Sequence, residues 1–210
     1  FPSKAFLRAK FADGKFVKLK TRLVLRGDLQ KLNDELAIAV KSPTIQKGSL
    51  NAILCLNKLI KGKIYSVDIP TAFLFAPLKE KVFMSIPKDI TDIFLAHKQG
   101  LDKYLDKNGR LVVRLNKSIY GLRQAPANFY KLMRDILVNA GYTCTASDSC
   151  IFTIREGSEI TNIAIHVDDL LVSSNSPSQI EHLKKSLSKA FGELSWNERE
   201  FTYLGMHLRL

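Results

Sequence analysis

The stretch IAIHVDDLLVSS, residues 163–174, sets two adjacent carboxylates, Asp168 and Asp169, inside an otherwise apolar run. Ionised carboxylates resist leaving water at a cost of several kcal/mol per ion, and two of them about 4 Å apart repel by roughly 4 kcal/mol at an effective dielectric near 20. Two arrangements offset that cost. In one, NIAIHV and LLVSS are the strands of a tight hairpin whose tip turns both side chains into solvent. In the other, a divalent cation makes the pair favourable and organises phosphoryl chemistry at a rigid strand end. A third carboxylate, Asp68, closes the short apolar run KIYSVDI just before Pro70, where turn chemistry alone is the ordinary explanation. If that strand lies beside the VDD hairpin, three carboxylates converge on one sheet edge, as metal-assisted phosphoryl transfer requires. Glycosidases also use paired carboxylates, but those face each other across a sugar ring, whereas neighbours on one strand point to opposite faces.

The elements that must carry these residues follow from pattern. AFLRAKF and KFVKLKTRLVLRG flank ADG as a basic hairpin, with Lys15, Lys18, Lys20, Arg22 and Arg26 on its second strand. Those cations suit either a solvated face or phosphate contact. From a Ser49 cap, SLNAILCLNKLIKG reads as a largely buried helix ending at Gly62. KVFMSIP and RLVVRLNKSIY are further strands, and the charged segment 89–109 between them is an insertion or loop. GLRQAPANFYKLMRDILVNAG is a strong helix with Pro126 in its first turn and Gly141 as its stop. CIFTIRE and the VDD hairpin follow. SPSQ then opens a last helix as a capping box of Ser176 and Gln179, and EFTYLGMHLRL is a strand pair or a strand bent at Gly205. The order predicts an α+β fold in which helices back one face of an antiparallel sheet.

Composition narrows the function classes. A chain of 210 residues that is 46% apolar can bury a real core. Thirty-two Lys and Arg against twenty Asp and Glu give a net charge of +12 and a pI near 9.6, which favours a polyanionic partner such as nucleic acid. No apolar stretch reaches the roughly 18 residues of a spanning helix and no signal peptide is evident, so we expect an intracellular protein with no membrane role. Cys55, Cys144 and Cys150 lack zinc-site spacing and read as reduced, mostly buried packing residues. A start on Phe1 and an apolar end are expected of one piece of a longer polypeptide.

Six blocks carry a resemblance. KTRLVLRG, VDIPTAFLFAPLKEKVFM, SIYGLRQAPANFYKLMRDIL, SDSCIFT, HVDDLLVSS and FTYLG occur in the order of the reverse transcriptase domain of copia-type LTR retrotransposons, which the chain resembles over nearly its whole length. The resemblance implies a right-hand polymerase with fingers over residues 1–62 and a return near 78–120, and a palm over 63–77 and 121–210. Thumb and ribonuclease H domains are implied to lie beyond Leu210. It implies an RNA-directed DNA polymerase that adds deoxynucleotides to a primer 3′-hydroxyl with two Mg2+ ions, Mn2+ being an alternative. Asp68, Asp168 and Asp169 would be the catalytic and metal-binding triad, with Asp68 and Asp168 shared by both ions. Lys20 and Arg22 would neutralise the triphosphate, Arg22 gripping two oxygens at once. Phe73 would be the aromatic gate against a ribose 2′-hydroxyl, and Gln124 would line the nucleotide pocket. Tyr203, Leu204 and Gly205 would match the primer grip.

Four places depart from the family pattern. His166 stands where the family usually has Tyr, beside the primer terminus. Asn51 replaces an expected Arg, Ala76 replaces Gly or Asn, and the segment Asn33 to Val40 lacks the usual aromatics. The partners implied are RNA and DNA template–primer, deoxynucleoside triphosphates and other domains of one polyprotein, acting in cytoplasmic virus-like particles or the nucleus. Two rivals share the same features: a degenerate, non-catalytic nucleic-acid-binding remnant, and a metal-dependent nuclease.

Overall fold

A computed structural model describes residues 1–12, 14–31 and 40–209. Asp13 of the ADG turn and most of the segment 33–40 lie outside them. The chain divides into two compact units, one of residues 1–41 with 76–128 and one of residues 42–75 with 129–210. These divisions, drawn from contacts, fall after residues 41, 75 and 128.

In the first unit, β1 (Ser3–Ala12) and β2 (Lys15–Leu25) form a two-stranded antiparallel ribbon. Directly opposed residues share a face. Phe6 pairs with Arg22 and Arg8 with Lys20, so one face of the ribbon is cationic. A second antiparallel pair joins β4 (Pro77–Ser85) and β5 (Val112–Lys117). Between them the segment expected to be a loop contains a helix, Lys88–His97, followed by a short 3-10 turn at Asp102–Tyr104.

The second unit is built on a six-stranded sheet in the order β10-β3-β9-β8-β7-β6. Its strands are β3 (Lys63–Asp68), β6 (Thr143–Cys144), β7 (Ile151–Glu156), β8 (Glu159–His166), β9 (Asp169–Ser174) and β10 (Ser195–Asn197), every pair antiparallel. The chain is therefore α+β. Strands β8 and β9 lie in the middle of this sheet, and Ile163, Leu170 and Val172 are fully buried, which explains their continuous apolar runs.

Helix α1 (Lys47–Leu59) covers one end of the sheet through Leu50 and Ile53, which pack with Ile64, Ala164 and Leu171. It begins two residues before Ser49, on Gln46 with no side-chain cap, and Leu59 is 79% exposed. It is thus a one-sided helix rather than the largely buried one expected. Cys55 on its outer side is likewise exposed. With α2 as Lys88–His97, α3 is Ala125–Asn139 and α4 is Pro177–Phe191. Ser176 caps α4, its Oγ accepting from Gln179 N at 3.3 Å. The reciprocal half of the capping box is absent, because the Gln179 carbonyl oxygen accepts from Thr161 at 2.8 Å instead. A final hairpin pairs β11 (Glu200–Tyr203) with β12 (Met206–Arg209).

Candidate active site

The strand registers decide where the three carboxylates go. Asp68, the last residue of β3, lies directly opposite Asp169, the first residue of β9, and Asp169 in turn lies opposite His166, the last of β8. Opposed residues of antiparallel strands share a face with Cα atoms about 4.5–5.5 Å apart. Asp68, Asp169 and His166 therefore stand in one row across three strands, and Ser195 of β10 extends the row on the far side of Asp68.

Val167 and Asp168 form the two-residue turn between β8 and β9. Val167 has φ 56°, and Asp168 is not among the residues of positive φ, the sign pattern of a type II′ turn. Glycine usually fills that first position. A β-branched residue there carries roughly 1–2 kcal/mol of backbone strain. The hairpin expected from the sequence is present, and its register sets Asp169 in the sheet opposite Asp68 with Asp168 on the turn.

Electrostatics bind these groups together. Burial first, then the negative charges of Asp168 and Asp68, push the Asp169 carboxyl above its ordinary range, while His166 acts the other way. Asp169 thus feels the repulsion of two other acids, a condition that a divalent cation would relieve. Donor type and backbone placement fit such an ion. Among the described residues, however, no three His, Cys, Asp or Glu side chains are already gathered around one point. His166 Nδ1 is buried with no hydrogen-bond partner.

Tyr203 lies next to this row on the same face of the sheet. It is 2% exposed, packs in the cluster with Ala164 and Leu171, and its phenol is pushed well above the ordinary range by burial and then by Asp169. Leu204 and Gly205 make the turn that follows, both at positive φ, 48° and 77°, as a type I′ hairpin requires. Phe73 belongs to a short 3-10 turn, Ala72–Phe75, four residues beyond the end of β3. It is 9% exposed, with its ring edge-on to Phe129 at 6.3 Å.

Lys20, Arg22 and Gln124 are in the first unit. Lys20 and Arg22 line a concavity of about 560 Å³ on the ribbon together with Phe6, Arg8 and Lys10, and the Arg22 guanidinium lies 5.2 Å from the Tyr120 ring centroid. Gln124 is buried at the start of α3, with its carbonyl oxygen 3.4 Å from Gln30 Nε2.

Two residues near Gln124 were not singled out in the sequence. Arg123 Nε donates to the Gly27 carbonyl at 2.6 Å and its terminal nitrogen to the Asp28 carbonyl at 3.2 Å. Gln30 accepts from the Arg123 backbone N–H at 3.1 Å. The one local signal was a pair of glycines. A Cβ on Gly27 would fall 1.9 Å from the Gly121 carbonyl oxygen, and one on Gly121 would fall 2.1 Å from that of Leu25, so both mark a close passage of two backbones.

An antiparallel sheet with acids aligned at one strand end suits more than one chemistry. The sequence narrows the choice. Residues 2–209 match the family model described as "Reverse transcriptase (RNA-dependent DNA polymerase)", and the chain belongs to that family. It is 31% identical over 187 residues to the "Retrovirus-related Pol polyprotein from transposon TNT 1-94" of Nicotiana tabacum, covering 89% of this chain and 13% of that protein. It is 28% identical over 205 residues to the corresponding polyprotein from transposon RE1 of Arabidopsis thaliana, covering 97% and 13%. The chain thus spans about an eighth of these relatives, and the resemblance to copia-type elements is borne out. A solved structure, "apo telomerase from Candida Tropicalis truncated from C-terminal domain", aligns over 99% of this chain and 53% of its own at 13% identity and a TM-score of 0.45. No helix among the described residues is long and apolar enough to cross a membrane.

Proposed function

We propose that the chain is the fingers and palm of an RNA-directed DNA polymerase that extends a primer 3′-hydroxyl with deoxynucleotides. The observation that carries this is the alignment of Asp68 with Asp169 across β3 and β9, with Asp168 on the adjoining turn, in a chain of the reverse transcriptase family. Asp68 and Asp168, supported by Asp169, would hold two Mg2+ ions, with Mn2+ as a substitute. When bound, such ions lower the pKa of the attacking hydroxyl and neutralise charge on the departing pyrophosphate.

The remaining roles fall to the protein. Lys20 and Arg22, on the exposed cationic face of the ribbon, offer charge to a triphosphate, the guanidinium forking onto two oxygens. Phe73 has a mostly buried ring held by Phe129, and a ring so fixed can collide with a 2′-hydroxyl rather than yield to it. Gln124 lines the nucleotide pocket. The tight turn at Leu204 and Gly205, anchored by buried Tyr203, supports the primer strand, with His166 close to its terminus. RNA and DNA template–primer, deoxynucleoside triphosphates and further domains of the polyprotein are the partners, in the cytoplasm or nucleus.

A non-catalytic, nucleic-acid-binding remnant is the second reading. The departure at His166 from the family pattern favours it. Primer extension on an RNA template with Mg2+ separates the two. Incorporation that Asp168→Asn reduces by about a thousandfold or more supports the polymerase. Template–primer binding without extension in either form supports the remnant. Product shortening in place of growth supports a nuclease.

A further inference from the structure

A side-chain amide has one end that accepts and one that donates, and its orientation decides what it can recognise. In the first unit two such amides are linked to a group that cannot be reversed. The Arg123 backbone N–H only donates, so the Gln30 atom 3.1 Å from it is the oxygen Oε1. The other end of Gln30 is then a donor, and it reaches Gln124 at 3.4 Å. The Gln124 atom facing it is in turn the oxygen, which leaves the Gln124 NH2 group directed away from Gln30. One backbone N–H thus sets two amides in succession. Both glutamines are buried, Gln30 at 6% and Gln124 at 1% exposure, so water is a poor substitute for either contact.

The platform under this relay is fixed. Arg123 bridges the carbonyls of Gly27 and Asp28, Gln30 N donates to the Gly27 carbonyl at 3.0 Å, and the Gly27 and Gly121 backbones pass too closely for any Cβ.

We propose that Gln30 is a positioning residue that locks the Gln124 amide, so that Gln124 offers its Nε2 donor to an acceptor oxygen of the incoming deoxynucleotide. This rests on the proposed polymerase reading, in which Gln124 lines the nucleotide pocket. The informative substitution is Gln30→Glu. It keeps the length and the oxygen that receives the Arg123 N–H, but it replaces the donor with a second acceptor. Gln124 then turns its NH2 toward residue 30 and its carbonyl toward the nucleotide, where oxygen meets oxygen.

The test is equilibrium binding of dTTP to this chain with an annealed RNA template and DNA primer, in Ca2+ so that no turnover occurs. Gln30→Glu and Gln124→Met should each weaken binding by about tenfold, the effect of one buried hydrogen bond lost. The double variant should bind no more weakly than Gln124→Met alone, because Gln30 acts only through Gln124. Unfolding midpoints within about 2 °C of wild type keep stability out of the comparison. Gln124→Glu, which leaves the Gln30 contact intact but faces the nucleotide with an acceptor, should weaken binding at least as much as Gln124→Met, and serves if Gln30→Glu does not fold. Additive losses in the double variant, or wild-type affinity in Gln30→Glu beside a weakened Gln124→Met, overturn the positioning role alone. Full affinity in Gln124→Met, or no dTTP binding by wild type, overturns the placement of Gln124 in the nucleotide pocket and the positioning role with it.

Discussion

Two aspartates of the second unit, the buried Asp148 and the half-buried Asp169, are treated in opposite ways. Asp148 is 5% exposed and receives hydrogen bonds from the backbone N–H of Cys150 at 2.9 Å and of Gln46 at 3.0 Å. Burial alone would raise its pKa, but these donors and Ser49 outweigh it and hold the carboxyl below its ordinary range. Asp169 faces Asp68 and adjoins Asp168, and burial and both charges push it up. The fold completes the first acid with its own donors. It leaves the second facing two other carboxylates, the kind of acid that, under the proposed function, a bound cation would neutralise.

Breaking the acidic row should give the largest effect on function and almost none on folding. We expect Asp68→Asn to lower primer extension by about a thousandfold or more while its unfolding midpoint stays within about 2 °C of wild type. Equal loss of both quantities would place Asp68 with the structural acids. Asp148→Asn should do the reverse. One of its two carboxylate oxygens becomes an NH2 group facing a backbone N–H, so we expect a loss of about 1.5–3 kcal/mol in denaturant unfolding. A carboxyl with a depressed folded pKa stabilises above its unfolded value, near 3.9, and that stabilisation is lost as pH falls through the folded value. The gap between wild type and Asp148→Asn should therefore be complete at pH 7 and shrink below about pH 4. The turn itself sits between these cases. Val167→Gly removes the strain of a β-branched residue at φ 56° at some cost in unfolded-chain entropy, and should stabilise by about 1 kcal/mol or less.

The Asp169 side of this contrast was legible in the sequence, whereas nothing there marked Asp148. The apolar runs NIAIHV and LLVSS on either side of DD mark the hairpin and KIYSVDI marks a further strand, but that this strand lies beside the hairpin was only a condition of the pattern, and the family resemblance joined Asp68 to the pair. What pattern could not show is register. A slip of one residue along β3 would have turned Asp68 to the opposite face, and nothing local to KIYSVDI excludes it. Gln30 and Arg123 were invisible for a similar reason, since their contacts join positions more than ninety residues apart. Helix α2 was hidden because it lacks a capping side chain and leaves Ile93 and Phe94 exposed, so its apolar residues do not mark a buried stripe. The burial of α1 was overestimated because apolar residues all round a helix need not all find a partner, and Leu59 does not.

The smallest effect is the most discriminating. With metal removed by EDTA, Asp169 at neutral pH carries a charge that its surroundings oppose, and its raised folded pKa means that the folded state holds this proton more tightly than the unfolded chain does. Stability then falls as pH rises from the unfolded value near 3.9 through the folded value. Asp169→Asn removes that penalty and should stabilise the metal-free protein at pH 7 by less than about 1 kcal/mol, with the gain vanishing by about pH 4. Addition of Mg2+ should reverse the order, because an ion that binds the acids of the folded state stabilises wild type and not the variant. The two pH profiles run in opposite senses, Asp148→Asn losing its deficit toward acid and Asp169→Asn losing its gain. A deficit at neutral pH in Asp169→Asn without metal would mean that the fold already satisfies this carboxylate, and the row at the ends of β3, β9 and β8 would then have no need of a cation.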